Sequence, residues 1–577
     1  MNNLAVVAPR ASSRVSKPLL AAVLAASSVA YLWTLHFGFV YDDLGQIVAN
    51  PLIQSWKFLP QYFHGNVWMQ QSALGNYFRP LFLVWLLLNH TLFGLHPAFW
   101  HLSTVAVHLG ATALVYLLAL RLSGRQKVAA IAAVIFGVHP AHVESVAWIS
   151  GVTDALLALL LIPSFLAFMN YREKKGAKWL GISVAFYALA LLAKETAVVL
   201  PVFVFLYVIF WPDASWKRKF ADAFLLAVPY ALVTVPYLLL RASALHGVAH
   251  RTVDIPLSIS FYTMPSVLWF YVRHLLAPLR LSAFYDTPYI THVSWKYFLA
   301  PLTAMVVTLA VIAAAWWKSR SPLVAFAAAW IFVPLLPVLD LSLLPMGDFV
   351  HDRYLYLPLI GFALLAGLAF EALDRRKLAG VPLGTTAVIV IVIALTAGTI
   401  AQSLPWRDDI PLYQHGMRIA PLNDLPRNKL AATYVARGMY EQGIDAYKFV
   451  LANDPEYWYA NYRMGYAQHM LGRYDAAQSF LEKAATENGA PDVLYYLGLN
   501  ATKLKRYEMA EQALARAIER NPQAPGYEFA LGVALKEDGK LDPALQIFLS
   551  ELKRDPNDAG ARAQVEELTA RLHPAKK

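Results

Sequence analysis

The hydrophobic pattern of the chain consists of long apolar runs separated by short polar or basic loops. A helix that crosses a bilayer needs about 20 mostly apolar residues, and by this measure we predict about eleven transmembrane helices. Their expected positions are 18–36, 97–121, 128–148, 153–171, 178–194, 195–211, 220–240, 298–317, 323–341, 354–373 and 383–404. The pattern therefore predicts an all-α, polytopic membrane domain over residues 1–404.

Basic residues collect in some of the loops and not in others. Cytoplasmic loops of membrane proteins carry an excess of Lys and Arg, so these loops indicate the orientation. With the spans above, six basic clusters fall on one side: Arg10/Arg14/Lys17, Arg121/Arg125/Lys127, Arg172/Lys174/Lys175/Lys178, Lys217/Arg218/Lys219, Lys318/Arg320 and Arg375/Arg376/Lys377. We predict that this side is cytoplasmic. The outer side then receives 37–96, 150–154, 194–195, 241–297, 342–353 and everything after residue 404.

Two further apolar segments, 80–95 and 262–281, are left out of this count. The first is short and follows Arg79, and the second contains Arg273, His274 and Arg280. Counting either segment as a full span would break the alternation of basic and non-basic loops. We predict that both lie along the outer face or enter the membrane part way. The alternative is that both cross it.

The composition agrees with a membrane protein. The 577 residues are 58% hydrophobic and 15% charged, whereas soluble domains carry about 25% charged residues. The net charge of +11 is explained by the basic loops, so membrane lipids are expected partners and nucleic acid is not. No cysteine is present, which excludes disulfides and thiolate metal sites.

The N-terminal run and the short loops bear on localisation. The run follows three basic residues and ends in Tyr31, Trp33 and His36. We therefore expect an uncleaved first span, and the alternative is a cleaved signal peptide. Short loops and the absence of cysteine favour a bacterial inner membrane, with the outer face in the periplasm.

From about residue 424 the hydrophobic pattern changes to a repeat. Four dipeptides recur at spacings of 34, 33 and 34 residues: Leu430-Ala431, Met464-Gly465, Leu497-Gly498 and Leu531-Gly532. Small residues at such positions let the two helices of a repeat pack closely, and the period is that of the tetratricopeptide repeat. We predict four repeats over 424–577, stacked into a solenoid and capped by a helix that ends near Arg571.

The proline-containing segment 405–423 is predicted to be a linker between the two domains. The concave groove of the repeats is expected to engage an acceptor polypeptide. The alternative is a docking platform that has no role in substrate binding.

Candidate chemistry begins with Asp42 and Asp43, directly after the first predicted span. An ionisable residue close to hydrocarbon is unfavourable unless it has a partner or a function. A carboxylate near an apolar surface has a raised pKa and is a better base near neutral pH. We expect this pair to contain a catalytic base, with only one side chain facing the acceptor. The alternative is a solvated acidic turn at a helix end.

The stretch 138–154 carries His139, His142, Glu144 and Asp154 near the outer surface. A group of His and acidic side chains raises the question of a divalent metal. The spacing, however, is not that of a metalloprotease helix, in which two His lie four residues apart around a Glu. A structural role is favoured for each His alone, whereas the four residues together favour a substrate site without a metal.

Further charged and polar groups lie on the predicted outer side. They are Arg79, Lys194, Glu195, His351, Asp352, Arg353 and Tyr354. Their Lys and Arg side chains are suited to hold a phosphate group. The alternatives are a local ion pair at 194–195 and interfacial anchors at the other positions. No glycine-rich phosphate loop is present, which disfavours ATP-driven work.

Together these motifs resemble a known family. They are the Asp42-Asp43 pair, 76–80, 137–154, Lys194-Glu195 and the 351–358 stretch, followed by the repeats. The arrangement is similar to that of the transmembrane and tetratricopeptide repeat-containing O-mannosyltransferases (TMTC family), which belong with the protein O-mannosyltransferases in the GT-C superfamily. The resemblance covers nearly the whole chain and is most specific at 137–154, at 351–358 and in the repeats.

The resemblance implies a GT-C-type enzyme. Such enzymes transfer a sugar, here mannose, from a polyprenyl-phosphate donor to Ser or Thr hydroxyls of protein, with inversion, at the extracytoplasmic face and without a metal cofactor. It implies that Asp42 or Asp43 is the base. It also implies a second acidic position at Asp154, with Glu144 nearby. Lys194 and Arg353 become the candidates for binding the lipid phosphate.

Two other functions are consistent with the same residues. One is a ligase that moves a lipid-linked oligosaccharide. The other is a non-enzymatic membrane scaffold whose repeats serve as an adaptor. Only the scaffold predicts that the outer carboxylates are dispensable.

Overall fold

The computed structural model describes residues 14–71, 75–211, 216–247, 249–250, 253–343, 347–378 and 380–573. Arg10 of the N-terminal basic cluster lies outside these residues. The chain divides into two compact units, Met1–Pro421 and Leu422–Lys577. The described residues are mostly helical, and their two short strands, Lys377–Leu378 (β1) and Val381–Pro382 (β2), pair as an antiparallel hairpin. The predicted all-α fold class is confirmed.

The first unit is a bundle of apolar helices joined by short 3-10 and π turns. Its α-helices are α1 (Lys17–Tyr31), α2 (Pro80–Phe93), α3 (Pro97–Ser123), α4 (Gln126–Val138), α5 (Val143–Val146), α6 (Thr153–Lys174), α7 (Ala177–Ala193), α8 (Leu200–Phe210), α9 (Trp216–Leu245), α10 (Leu257–Leu276), α11 (Ala300–Ser319), α12 (Pro322–Phe332), α13 (Pro358–Leu373), α14 (Leu383–Ser403) and α15 (Asp409–Ile419).

Seven helical stretches in the described chain are long and apolar enough to cross a membrane. They are Lys17–His36, Pro97–Ser123, Ile149–Lys174, Arg218–Leu245, Trp295–Ser319, Pro322–Leu339 and Leu383–Arg407. The bent pair Gln126–Val138 and Pro140–Val146 makes an eighth if it is counted as one span. The three remaining predicted spans correspond to shorter apolar helices, Ala177–Ala193, Glu195–Phe210 and Pro358–Leu373. An integral membrane domain is therefore supported.

The bend of 53° between α4 and the following turn has a local cause. His139 precedes Pro140, and its backbone is extended, with φ −73° and ψ 129°. The proline ring disfavours helical backbone in the residue before it, so the helix ends at Val138 and restarts in a new direction. The chain therefore continues from Pro140 in a new direction, through a short turn and helix α5.

The two segments left out of the span count form helices of different lengths. Helix α2 has 14 residues, which is too short to cross a bilayer without help. Helix α10 has 20 residues, but its last turn carries Arg273 and His274, and it is not among the helices whose length and composition suit a span.

Three of the predicted basic loops meet at one end of the bundle. Ion pairs join them to the ends of α6 and α13: Arg121–Glu173, Arg125–Glu371 and Lys127–Asp374. The loops at 121–127, 172–178 and 373–377 therefore share one end, as the alternation of charges predicts. The assignment of that end to the cytoplasm stays a prediction.

Helices α12 and α13 pack at very short range through Gly361. A Cβ atom at this position would lie 2.2 Å from the backbone oxygen of Ala327 and 2.9 Å from the backbone nitrogen of Ile331. Backbone atoms cannot move aside as a flexible side chain can, so only glycine fits here. This close contact fixes α13, which begins directly after the 351–357 stretch.

The second unit consists of paired helices. They are α16 (Asp424–Ala436), α17 (Tyr440–Asn453), α18 (Trp458–Met470), α19 (Tyr474–Glu487), α20 (Pro491–Lys503), α21 (Tyr507–Arg520), α22 (Tyr527–Glu537), α23 (Leu541–Arg554) and α24 (Ala559–Leu572). A Cβ at Gly465 or Gly498 would lie about 2.5 Å from Leu481 or Leu514 of the partner helix. The recurring small residues therefore allow close packing within each pair, as predicted, and α24 closes the array.

The segment 405–423, predicted to be a linker, is largely ordered. It contains the 3-10 turn Leu404–Arg407 and helix α15, and the first unit extends to Pro421. Asp408 caps α15, since its carboxylate accepts the Ile410 N–H at 3.0 Å. The prolines of this segment therefore mark turns around a short helix that belongs to the membrane unit.

Candidate functional site

A cavity lined by charged and aromatic residues opens beyond the C-terminal end of α1. It is formed by the 42–79 loop, the start of α2, the 148–153 turn and the stretch before α13. Its lining residues are Asp42, Gln46, Val67, Trp68, Tyr77, Arg79, Phe82, Trp148, Ser150, Thr153, Arg353 and Tyr354. Four of the predicted site residues, Asp42, Arg79, Arg353 and Tyr354, thus meet in one cavity although they come from distant parts of the chain.

The two adjacent carboxylates have different surroundings. Asp42 is half-buried and lines the cavity. Asp43 is fully buried, and its Oδ1 accepts hydrogen bonds from the Ser150 N–H at 2.9 Å and the Ser150 hydroxyl at 2.6 Å. Its Oδ2 accepts the Val40 N–H at 3.2 Å. Asp43 therefore fastens the loop after α1 to the 149–152 turn, and Asp42 is the carboxylate that a bound molecule would meet.

Burial raises the pKa of Asp43 to about 7, against the hydrogen bonds from Ser150 and Val40, which lower it. The charge of neighbouring Asp42 raises it further. A buried carboxylate loses hydration that three hydrogen bonds only partly replace.

Arg79 lies on the cavity wall and is held by Glu195. Its Nε donates to one oxygen of Glu195 at 3.0 Å and its Nη2 donates to the other at 2.5 Å. Burial opposes the charge of Arg79, but the carboxylate of Glu195 more than compensates, so the pKa of Arg79 lies above its ordinary value. The Arg79 guanidinium also lies over the Tyr77 ring, 4.6 Å from its centre. This bidentate pair holds the guanidinium in one position on the cavity wall.

Arg353 is the second cation on the wall, and Glu144 holds it. One oxygen of Glu144 accepts the Arg353 backbone N–H at 2.9 Å, and the other accepts a guanidinium N–H. The guanidinium also contacts two rings, with its Cζ 5.5 Å from the centre of Trp148 and 5.3 Å from that of Tyr354. Glu144 is buried and does not line the cavity, so its place is behind Arg353.

Lys194 and Asp154 form a buried ion pair beside the cavity. Their Nζ and Oδ2 atoms are 2.6 Å apart, and the side chains are 2% and 5% exposed. Neither residue lines the main cavity. Asp154 instead borders a second, smaller cavity, together with Thr196, Pro334, Val338, Tyr354 and Leu357. The carboxylate and the ammonium therefore neutralise each other and lie behind the wall.

The two histidines of the 138–154 stretch lie in the helical core. His139 hydrogen-bonds the Leu275 carbonyl at 3.2 Å and accepts the Ala141 N–H. His142 packs against Tyr356 and Phe136, with ring centres 4.2 and 4.4 Å away. Neither borders the cavity, so neither is placed to touch a molecule bound there.

Of the residues directly before α13, some are buried and others line the cavity. Asp352 is buried and accepts hydrogen bonds from the Tyr285 hydroxyl at 2.7 Å and the Ser282 N–H at 3.2 Å. Burial raises its pKa well above the ordinary value, and the charge of Glu144 adds to this. His351 is buried between carboxylates, with Glu144 at 3.8 Å and Asp348 at 3.7 Å. Of this stretch, Arg353 and Tyr354 border the cavity.

Sequence reasoning did not select several lining residues as site residues. Trp148 and Ser150 lie in the 137–154 stretch and Tyr77 lies two residues before Arg79, so their neighbours in the sequence could have indicated them. Asp348 is not a lining residue, and nothing in the sequence singled it out, but its charge acts on Tyr41, Tyr77 and Arg353.

In the described part of the chain, no group of three or more His, Asp or Glu side chains is placed to hold a metal ion. The site is therefore a cavity with one carboxylate and two guanidinium groups on its wall. The expectation that the reaction needs no metal stays a prediction.

Comparison with known proteins agrees with this architecture. Residues 79–240 match the family described as dolichyl-phosphate-mannose-protein mannosyltransferase, and residues 412–499 and 495–559 match tetratricopeptide repeats. The fold and these matches show an apolar helical domain similar to that mannosyltransferase family, followed by tetratricopeptide repeats. The chain is related over most of its length to the protein O-mannosyl-transferases of the TMTC family, and this confirms the resemblance predicted from its motifs.

Three relatives illustrate the match. Protein O-mannosyl-transferase F38B6.6 of Caenorhabditis elegans is 24% identical over 75% of this chain and 62% of its own length. Protein O-mannosyl-transferase TMTC4 of Homo sapiens is 26% identical over 67% of this chain and 59% of its own length. TMTC3 of Mus musculus is 22% identical over 94% of this chain and 64% of its own length. The chain thus spans about six-tenths of the length of these three relatives.

Proposed function

We propose that this protein transfers mannose from a polyprenyl-phosphate donor to Ser or Thr hydroxyls of a protein acceptor, with inversion at the sugar. Asp42 is the general base. The observation that carries the proposal is the cavity that joins Asp42 with the guanidinium groups of Arg79 and Arg353. This is the charge distribution that the transfer of a sugar from a phosphate requires.

The reaction needs a base on one side of the sugar and cations on the other. The Asp42 carboxylate takes the proton of the acceptor hydroxyl while its oxygen bonds to C1 of mannose. The bond between C1 and the phosphate oxygen breaks, and the electron pair leaves with the polyprenyl phosphate. Arg79 and Arg353 stabilise the negative charge that develops on the leaving phosphate. Since attack and departure occur on opposite faces of C1, the configuration inverts.

The two arginines are suited to this role because their partners hold them in place. Glu195 orients Arg79, and Glu144 with the Trp148 ring orients Arg353. Cations fixed before the reaction stabilise developing charge without the cost of reorganising during it. Lys194, by contrast, is paired with Asp154 and does not line the cavity. We therefore propose that Arg79, and not Lys194, binds the phosphate together with Arg353.

The lining of the cavity suits a sugar, since the aromatic rings of Trp148, Tyr77 and Tyr354 stand beside its charged groups. We favour a monosaccharide donor over the lipid-linked oligosaccharide that a ligase would use, because residues 79–240 match the family described as dolichyl-phosphate-mannose-protein mannosyltransferase.

We place the cavity on the periplasmic face of a bacterial inner membrane. The support is that the basic loops meet at one end of the bundle, joined by pairs such as Arg125–Glu371, whereas the cavity lies beyond the end of α1 away from its basic flank. The groove of the repeats binds the acceptor polypeptide, as stacked repeats form an extended concave surface.

The test is a transfer assay with the full-length protein in lipid nanodiscs. It uses polyprenyl-phosphate mannose and a synthetic Ser/Thr-rich peptide. Asp42→Asn removes the base and should lower the rate by about 10²- to 10⁴-fold. Asp424→Asn is the matched control, since this carboxylate is half-exposed in the repeats and pairs with Arg427. It should leave the rate unchanged.

Three results decide the proposal. Full activity of Asp42→Asn would refute the assignment of the base. Transfer from an oligosaccharide donor and not from the mannose donor would replace the mannosyltransferase with a ligase. Absence of transfer from either donor, combined with repeat-dependent binding of partner proteins, would favour a scaffold.

A further inference from the structure

The loop that carries Asp42 is fastened to a distant part of the chain at two points. The Gly38 N–H donates to the carbonyl of Arg407 at 3.2 Å. The Tyr41 N–H donates to the Oδ1 of Asp409 at 2.7 Å. Asp409 is the first residue of helix α15, is 3% exposed and lies 368 positions along the chain from Tyr41. The residue directly before Asp42 is therefore held by a buried carboxylate that no part of the reaction uses.

Tyr41 has a backbone conformation that needs such support. Its φ of 57° lies in the left-handed region, which is uncommon for a non-glycine residue. Such a conformation persists only where the surrounding structure holds it. The Tyr41 ring packs against Trp148 and Phe284, with ring centres 5.5 and 5.7 Å away. The N–H bond to Asp409 fixes the backbone, and these rings fix the side chain.

The conformation of Tyr41 sets the direction in which Asp42 points. If Tyr41 returned to an ordinary extended or helical φ, the next peptide would rotate and the Asp42 side chain would move away from the cavity. Asp43 holds the loop from the other side through Ser150, so Asp42 lies between two fixed residues. A carboxylate that acts as a base must lie within hydrogen-bond reach of the hydroxyl it deprotonates.

We propose that Asp409 is a positioning residue for Asp42, acting through the Tyr41 backbone N–H. The inference rests on the proposed function, since it takes Asp42 as the base. It assigns a role in catalysis to the start of α15, a helix outside the region that matches the mannosyltransferase family.

The experiment compares three variants in the nanodisc transfer assay. Asp409→Ala removes the acceptor of the Tyr41 N–H and should lower kcat by about 10- to 100-fold, as expected for a small displacement of a reacting group. The KM for polyprenyl-phosphate mannose should stay nearly unchanged, because Arg79 and Arg353 keep their partners. Asp409→Asn keeps a side-chain oxygen in the same position and should restore most of kcat.

Asp408→Ala is the matched control for the loss of a carboxylate at the start of α15. Asp408 caps its own helix through the Ile410 N–H. Its replacement should lower the melting temperature slightly and leave kcat within about twofold, because the Tyr41 N–H keeps its acceptor on Asp409. If Asp409→Ala does not fold, Asp409→Ser replaces it, since the shorter hydroxyl does not reach the Tyr41 N–H.

The outcomes separate this inference from the proposed function. If Asp409→Ala and Asp409→Ser keep wild-type kcat while Asp42→Asn is inactive, the positioning role is refuted and the proposed function stands. If kcat falls equally in the Ala and Asn variants, or falls only in proportion to the folded fraction, Asp409 has a structural role alone. If Asp42→Asn remains active, the proposed function fails first.

Discussion

Replacing Lys194 with Met should destabilise the fold rather than weaken binding of the donor. The ammonium of Lys194 and the carboxylate of Asp154 are 2.6 Å apart, and their side chains are 2% and 5% exposed. Removing one member of such a pair leaves an uncompensated buried charge, which costs about 3–5 kcal/mol. The double variant Asp154→Asn, Lys194→Met leaves no charge unpaired and should recover much of that loss.

The assay is thermal and denaturant unfolding of the detergent-solubilised protein, combined with the KM for polyprenyl-phosphate mannose. Arg473→Met is the control, because its pair with Glu441 is on the surface of the repeats, with the side chains 49% and 57% exposed. An exposed pair contributes little, so this variant should unfold like the wild type. The buried and the exposed pair therefore give opposite expectations for the same kind of change.

One result would refute this reasoning. If Lys194→Met unfolds like the wild type while its KM for the donor rises tenfold, which corresponds to about 1.4 kcal/mol of binding free energy, Lys194 binds the phosphate after all. The ion pair would then open when the donor binds. Equal losses in the single and the double variant would likewise contradict the explanation from an unpaired charge.

Buried polar groups and one close helix contact give three shorter predictions. Because burial raises the pKa of Asp43 from 3.8 to about 7, the folded state binds this proton more tightly than the unfolded state. The free energy of unfolding should therefore be greatest below pH 4 and fall by up to about 4 kcal/mol as the pH rises to 7. Unfolding curves of Asp43→Asn should lack this pH dependence. His142 is buried and its ring nitrogens have no hydrogen-bond partner among the described residues, so His142→Leu should raise the free energy of unfolding by about 1 kcal/mol without loss of transfer; a substrate-binding His142 would instead lose activity. Gly361→Ala places a Cβ 2.2 Å from the Ala327 carbonyl oxygen and should cost about 1–3 kcal/mol or more in unfolding experiments, whereas Gly181→Ala, with open space around the new Cβ, should be neutral or stabilising.

The sequence was sufficient to predict the elements of both units. Apolar runs mark the helices of the bundle, and the recurring Gly465 and Gly498 mark the packing of the repeats. These are local signals, because a span needs a run of apolar residues and a helix pair needs a small residue at a fixed spacing. The segment 405–423 was predicted less well, since its prolines also suit a short helix between turns, and α15 is that helix.

The site was predicted in its residue types and only partly in their roles. Asp42, Arg79 and Arg353 could be selected because charged residues at a membrane surface need a reason to be there. Sequence could not show that Lys194 turns to Asp154, because the geometry that pairs them depends on how α6 and α7 pack. His139 and His142 looked alike in the sequence, whereas the fold gives one a carbonyl partner and the other an aromatic surrounding.

What the sequence determined by itself is the class of the molecule: an apolar helical bundle, basic loops at one end, acidic and basic residues at the other, and a repeat domain. What the tertiary structure alone decided is which of those charges neutralise each other and which face the cavity. Glu195 holds Arg79 from 116 positions away, and Asp409 holds Tyr41 from 368 positions away. A buried charge is stable only beside a partner, and only the folded chain determines which partner that is.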